Sequence, residues 1–200
     1  KLDQPYGRLA KNLLERQDYP DARLRTYDDS GWSMGYAFDV DFDEIEDPAI
    51  LGAEVDPVRR AEWDGSVEGA GTAAVAVAHL GSNDMVTLRF RFPDLPVQIV
   101  EQPFTAEGVD FPAGSFIFSG TGADLQRVQE EVRSLGLVGA ALESVPNVTT
   151  HDGDVPRIAI YTEWSGTQAV GWYRHAFDRF GIPFDLIYKE RVARGGLDED

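Results

Sequence analysis

The run RIAIYTEWSGTQAVGWYRHAFDRFGIPFDLIYKE, residues 157–190, constrains the fold more than any other stretch of the chain. Ile158 to Tyr161 form an apolar segment of strand length, and FDLIY supplies a second. Between them Ala169, Tyr173, Ala176, Phe177 and Phe180 recur at the spacing of one buried helical face, and Gly181 with Pro183 ends that helix. A helical crossover between neighbouring strands makes them parallel, with a right-handed connection. The loop between strand and helix then lies at the strand's carboxyl end and the helix's amino end, where open α/β sheets hold ligands.

The same alternation runs back to Gly71. TAAVAVAHL is a continuous apolar run between glycines, as a strand buried on both faces would be. SNDMVTLRFRF is ambiguous, since Val86, Leu88, Phe90 and Phe92 alternate as in a strand whereas Ser82 to Asp84 offer helix caps and Met85, Leu88 and Phe92 share one helical face. VQIVEQ and GSFIF fit strands, and TAEGVDFPAG fits a hairpin-like connection around Gly108. GADLQRVQEEVRSLG is the clearest helix, with Leu125, Val128, Val132 and Leu135 on one face and Gly136 as its stop. A short strand near 138–142 follows, and the turn-rich ESVPNVTTHDGDVP marks a boundary. Strands alternating with helices predict an α/β fold with a mostly parallel sheet and flanking helices. The predicted divisions are an irregular segment with one helix at 1–71, an α/β region at 72–145 and the start of a further α/β domain at 156–200. In the first of these a helix over 5–17 is expected, followed by a long aromatic-studded connection with a short strand near 38–42.

Charge decides which partners such a surface tolerates. The 200 residues carry 35 acidic and 18 basic side chains, a net −17, which repels nucleic-acid phosphates and anionic lipid headgroups. Nucleic acid and membrane are therefore excluded as partners, and no apolar run reaches the ~20 residues that span a bilayer. The absence of cysteine removes disulfides, thiolate metal sites and a cysteine nucleophile together.

Few residues offer chemistry. His79 ends an apolar strand and reads as a hydrogen-bonded histidine, His151 reads as an exposed turn residue, and His175 with Asp178 share a helix face without a third ligand. Asp39, Asp41 and Asp43 alternate like calcium ligands, but Glu44 and Ile50 stand where such a loop needs glycine and glutamate. No serine lies in a nucleophile motif. No catalytic residue and no metal ligand is therefore assigned. The candidate ligand-binding residues are Thr162, Glu163, Trp164, Ser165, Gly166 and Thr167, whose hydroxyls and backbone N–H groups at a helix amino end suit a phosphate. Helix capping by Ser165 and Thr167 accounts for the same residues. The loop loosely resembles the T-x-T-G-x-T phosphate loop of flavodoxins at Thr162, Gly166 and Thr167, which leaves a phosphate- or flavin-binding module as an alternative. Trp32, Trp63, Trp164 and Trp172 are candidates for a contact surface, with core packing expected for most of them.

DQPYGRLAKNLLERQDYPD, YDDSGWSMGYAFDVD, GVDFPAGSFIFSG and the 157–190 run together resemble the region downstream of the catalytic domain in secreted bacterial zinc carboxypeptidases of the carboxypeptidase A-like family. The last stretch is similar to the opening of the flavodoxin-like, glutamine amidotransferase-like domain that ends such proteins. The resemblance implies a part of a longer extracellular or periplasmic enzyme, with zinc held in a catalytic domain outside these residues. It also implies that the partners are that catalytic domain and its peptide substrate. The family's H-x-x-E is absent, since His79, His151 and His175 are followed three residues on by Ser82, Asp154 and Asp178. The chain is accordingly expected to be non-catalytic.

Overall fold

Gly7 shows why the first helix starts where it does. A Cβ there would lie 1.8 Å from the carbonyl oxygen of Leu2, so only glycine lets the preceding turn close against the helix. That helix, α1 (Gly7–Leu14), belongs to the first of two units, Lys1–Ala61 and Glu62–Asp200. The computed structural model describes residues 2–15, 21, 23, 34–38, 40–59 and 63–197. In the first unit α1 is joined by α2 (Met34–Ala37) and a 3-10 turn, Pro48–Gly52, whose first N–H groups are capped by the Asp47 carboxylate at 2.9 Å from Ala49 N. An exposed Lys11–Glu44 ion pair ties α1 to the acidic segment. The strand expected near 38–42 is not formed, since residues 40–47 have no regular structure; Asp39 and Trp32 lie outside the described residues.

The second unit holds β1 (Ser66–Glu68), β2 (Ala74–Val77), α3 (Asp84–Arg91), β3 (Val97–Val100), β4 (Phe104–Ala106), β5 (Val109–Phe111), β6 (Phe116–Phe118), α4 (Gly122–Ser134), β7 (Val138–Leu142) and β8 (Thr150–Asp152). Six of these strands form one sheet in the order β1-β7-β2-β6-β3-β8. The alternation of strands and helices is as expected, but the sheet is not mostly parallel. Only β1 and β7 pair in parallel, and the other four pairs are antiparallel. The physical reason is interleaving. Each crossover, β2–α3–β3 and β6–α4–β7, skips one position, and a strand of the other crossover fills the gap running the opposite way. This is the split β-α-β-β-α-β topology.

Both faces of the sheet are covered. Val75 and Val77 of β2 point to one side, where they meet Met85 and Leu88 of α3 and Leu125, Val128 and Val132 of α4. Ala74 and Ala76 point to the other side, into a cluster with Phe111 and Ile117 on which the β4–β5 hairpin packs through Phe104. A strand buried on both faces has no polar side to alternate with, hence the unbroken AVAV. The hairpin closes through Glu107 and Gly108, with φ of 50° and 78°, the mirror-image two-residue turn that matches strand twist. Helix α4 begins with a reciprocal cap between Thr121 and Asp124 and ends at Gly136, φ 68°, where Leu137 N donates to Val132 O at 2.9 Å. Two short polar edge strands, β1 and β8, went undetected in the sequence. They lie in stretches expected to be irregular or linking, and hydrogen bonding to β7 and β3 recruits them.

Beyond β8 the chain forms β9 (Ala159–Thr162), α5 (Thr167–Phe180), β10 (Asp185–Tyr188) and α6 (Lys189–Ala193). Strands β9 and β10 are parallel, with Ala159 opposite Asp185 and Thr162 opposite Tyr188. Helix α5 rests on α3, where the buried Thr87 hydroxyl donates to Phe180 O at 2.8 Å. The buried stripe expected along α5 is only partly realised: Ala176, Phe177 and Phe180 are half-buried, whereas Ala169 and Tyr173 are exposed. Two strands are too narrow a platform to cover a fourteen-residue helix. Among the described residues no helix is long and apolar enough to cross a membrane.

Candidate functional site

The parallel pair fixes where the loop of 162–167 goes. Thr162 ends β9 with its side chain buried and its hydroxyl donating to Glu163 O at 3.1 Å, so the chain leaves the sheet at once. Gly166 then takes φ 68°, ψ 40° as the residue before α5, and no side chain caps the helix there. The expected capping by Ser165 and Thr167 is not formed. A glycine in the left-handed region sets the helix direction by itself and leaves the first-turn N–H groups open.

The six candidate residues do not form one site. Thr162, Glu163, Ser165 and Gly166 line an open cleft of about 470 Å³ at the amino end of α5, walled by Tyr161 and Tyr173. No cationic side chain lines it, and Glu163 adds an acidic residue to the lining, which disfavours a phosphate. Thr167 opens α5 outside that lining. Trp164 turns to the other side of the unit. Its ring stacks on Tyr188 at 4.1 Å between centroids and 13° between planes, and its indole N–H donates to Glu190 Oε1 at 3.3 Å. There it borders a larger cleft of about 670 Å³ between the strand pair and α6, which also contains Arg157, Arg191 and Arg194. The Glu190 carboxyl is held below its ordinary range first by a hydrogen bond from its own backbone N–H, then by the Trp164 indole, with smaller help from Lys189 and Arg194.

No protein-family model, curated protein or solved structure matches this chain. Its chemistry must therefore be judged from its own residues.

The histidines are each engaged locally. His79 Nδ1 accepts from Gly81 N at 3.2 Å while its backbone N–H donates to Ser115 Oγ at 3.1 Å. His151 is exposed on an edge strand rather than in a turn, with Nδ1 3.0 Å from Glu101 Oε1. His175 meets the Trp172 ring edge-on at 6.1 Å. Asp41 and Asp43 are exposed. Among the described residues no group of three or more His, Asp or Glu side chains is placed to hold a metal ion.

The tryptophans overturn the expectation of core packing. Trp63, Trp164 and Trp172 are 80%, 69% and 67% exposed, and Tyr173 and Tyr161 of the C-terminal unit are 61% and 51% exposed. Sequence reading located the loop but missed Tyr188, Arg191 and Arg194. The available signal was KERVARGG directly after an apolar strand, in which Arg191 and Arg194 fall about one helical turn apart.

Proposed function

We propose that this chain acts by binding, as the non-catalytic accessory region of a secreted, zinc-dependent metallocarboxypeptidase. In this reading it engages the catalytic domain of the same polypeptide, and with it peptide substrate, through exposed aromatic residues carried on both sides of the β9–α5–β10 unit. The observation that supports the reading is the exposure of Tyr161, Trp164, Trp172 and Tyr173 on one β–α–β unit. Large aromatic side chains left in water are costly, and Trp, Tyr and Arg are the residues that dominate binding energy at protein interfaces. Parallel sheet is also normally covered on both faces, which makes a two-stranded parallel pair with a single helix a surface suited to partners. The carboxypeptidase assignment, and the extracellular or periplasmic location that accompanies it, rest on the sequence resemblance.

Translation of the gene in frame upstream of Lys1 tests the assignment. A signal peptide followed by H-x-x-E and a later histidine is the expected result; an upstream region without that zinc motif overturns it. The purified chain is expected to contain no stoichiometric zinc and to release no C-terminal amino acids from peptides, and either activity would refute the non-catalytic reading. A second reading, a small-ligand module for phosphate or flavin without catalysis, is favoured by the two clefts, whose volumes suit small molecules.

A further inference from the structure

The larger cleft combines three features that the smaller one lacks. The first is an aromatic platform: Tyr188 covers one face of the Trp164 indole, yet the indole remains largely exposed, so its other face is open. The second is a lining in which three guanidinium groups, Arg157, Arg191 and Arg194, outnumber the carboxylates of Asp185 and Glu190. The third is a built wall. Arg191 donates to Gly195 O at 2.7 Å and to Gly196 O at 3.1 Å, and these glycines, with φ of 71° and 67°, curl the chain back around the guanidinium and bring Leu197 to the cleft.

Charge along the chain points the same way. Residues 157–200 carry six basic and seven acidic side chains, close to balance, whereas residues 1–156 carry twelve basic and twenty-eight acidic ones. At physiological salt the Debye length is about 8 Å, so an anion inside the cleft responds to the three guanidinium groups and two carboxylates that line it more than to the distant acidic surface. Guanidinium groups match carboxylate and phosphate oxygens, and flat rings stack on indole.

We propose that this cleft binds a small aromatic anion, its ring laid on the open face of Trp164 and its carboxylate or phosphate held by the arginines. The cleft volume of about 670 Å³ falls within the range of sites for such ligands. The proposal is independent of the carboxypeptidase assignment, because it concerns only groups within this chain.

The test is a nitrogen-15 NMR titration of the full chain that follows the Trp164 indole N–H, identified by its loss in Trp164→Phe. Two probe pairs differ only in the anion: indole-3-acetate against indole-3-acetamide, and AMP against adenosine. We expect a saturable shift with at least one acid at a Kd of about 1 mM or tighter, and at least tenfold weaker binding of its neutral partner. The acid that binds distinguishes a carboxylate ligand from a phosphate one. Arg194 is exposed at the end of α6, so Arg194→Gln is expected to fold normally and to weaken the acid about tenfold while leaving the neutral compound unchanged. Absence of a saturable shift with either acid, equal binding of acid and neutral partner, or an unaffected Arg194→Gln would each overturn the proposal.

Discussion

Replacing Thr87 by valine is expected to loosen the C-terminal β–α–β unit without unfolding the sandwich. Helix α5 ends with carbonyls that have no partner further along the helix. Ile182 N serves Phe177 O and Gly181 N serves Asp178 O, while Phe180 O receives its hydrogen bond from the Thr87 hydroxyl at 2.8 Å. Valine has nearly the same shape and keeps the β-branch, so the substitution removes the donor and little else. A net hydrogen bond is worth about 1 kcal/mol, and a buried acceptor left unsatisfied costs about 1–3 kcal/mol. Phe180 is only half-buried and water can reach part of its surface, which favours the lower end of that range. With about 1.4 kcal/mol per tenfold, amides of 167–180 should lose roughly five- to tenfold in hydrogen-exchange protection. Those of 122–134, in α4, should be unchanged. Thr87→Ser, which retains the hydroxyl, should restore most of the protection. Equal loss in α4 and α5 would mean that the two regions open together. No loss in α5 would mean that this hydrogen bond does not hold the unit in place, and either outcome refutes the reasoning.

Three further outcomes follow from the packing and capping. Phe118 is fully buried in β6, with edge-on rings from Phe92 and Phe116 at 6.1 and 6.2 Å, so Phe118→Ala should cost about 3–5 kcal/mol, read as a lower urea midpoint at unchanged m-value. Glu107 holds a left-handed conformation that disfavours a long side chain, and Glu107→Asn should raise stability by about 0.5–1 kcal/mol in a thermal melt. The Thr121 hydroxyl, and then its backbone N–H, donate to Asp124 and hold that carboxyl below its ordinary range. A lowered folded pKa stabilises above the unfolded value, near 3.9, and the contribution is lost as pH falls through the folded value. Asp124→Asn should therefore flatten the dependence of unfolding on pH below about 4 and leave the dependence near neutrality unchanged.

The local elements of the sandwich were legible because each carries its own signal. Leu125, Val128 and Val132 mark α4, AVAV marks a strand covered on both sides, and Gly108 marks the hairpin turn. Strand direction was not legible. Whether β2 neighbours β3 or β6 depends on contacts between segments far apart in the chain, and a crossover that skips one position reads the same locally as one that does not. β1 and β8 escaped because SVE offers only Val67 to the core and THD offers no apolar residue, and the open edges of β7 and β3 make them strands. The loop of 162–167 was legible as a strand-to-helix turn. The division of its residues between two clefts was not, because it follows from the register that puts Tyr188 opposite Thr162 and offers Trp164 a ring to lie on.

The exposed tryptophans bear on where function lies in this chain. In the sandwich, the helices and the β4–β5 hairpin cover both faces of the sheet, and the large aromatic residues there, Phe92, Phe111 and Phe118, are buried. Among the described residues of that unit, Trp63 is the only strongly exposed aromatic outside β9 and α5 and the loop between them. The same C-terminal segment is nearly balanced in charge, with six basic and seven acidic side chains over 157–200, although the rest of the chain is strongly acidic. Exposed aromatic surface raises the risk of aggregation and a local lapse in acidity departs from the overall character of the chain, so neither is expected of a segment that serves only to fold. A helix seated on a two-stranded platform leaves both features accessible. On the proposed reading, the segment least covered by packing is the one that meets partners, held to the six-stranded sheet's layer through the contact of α5 with α3.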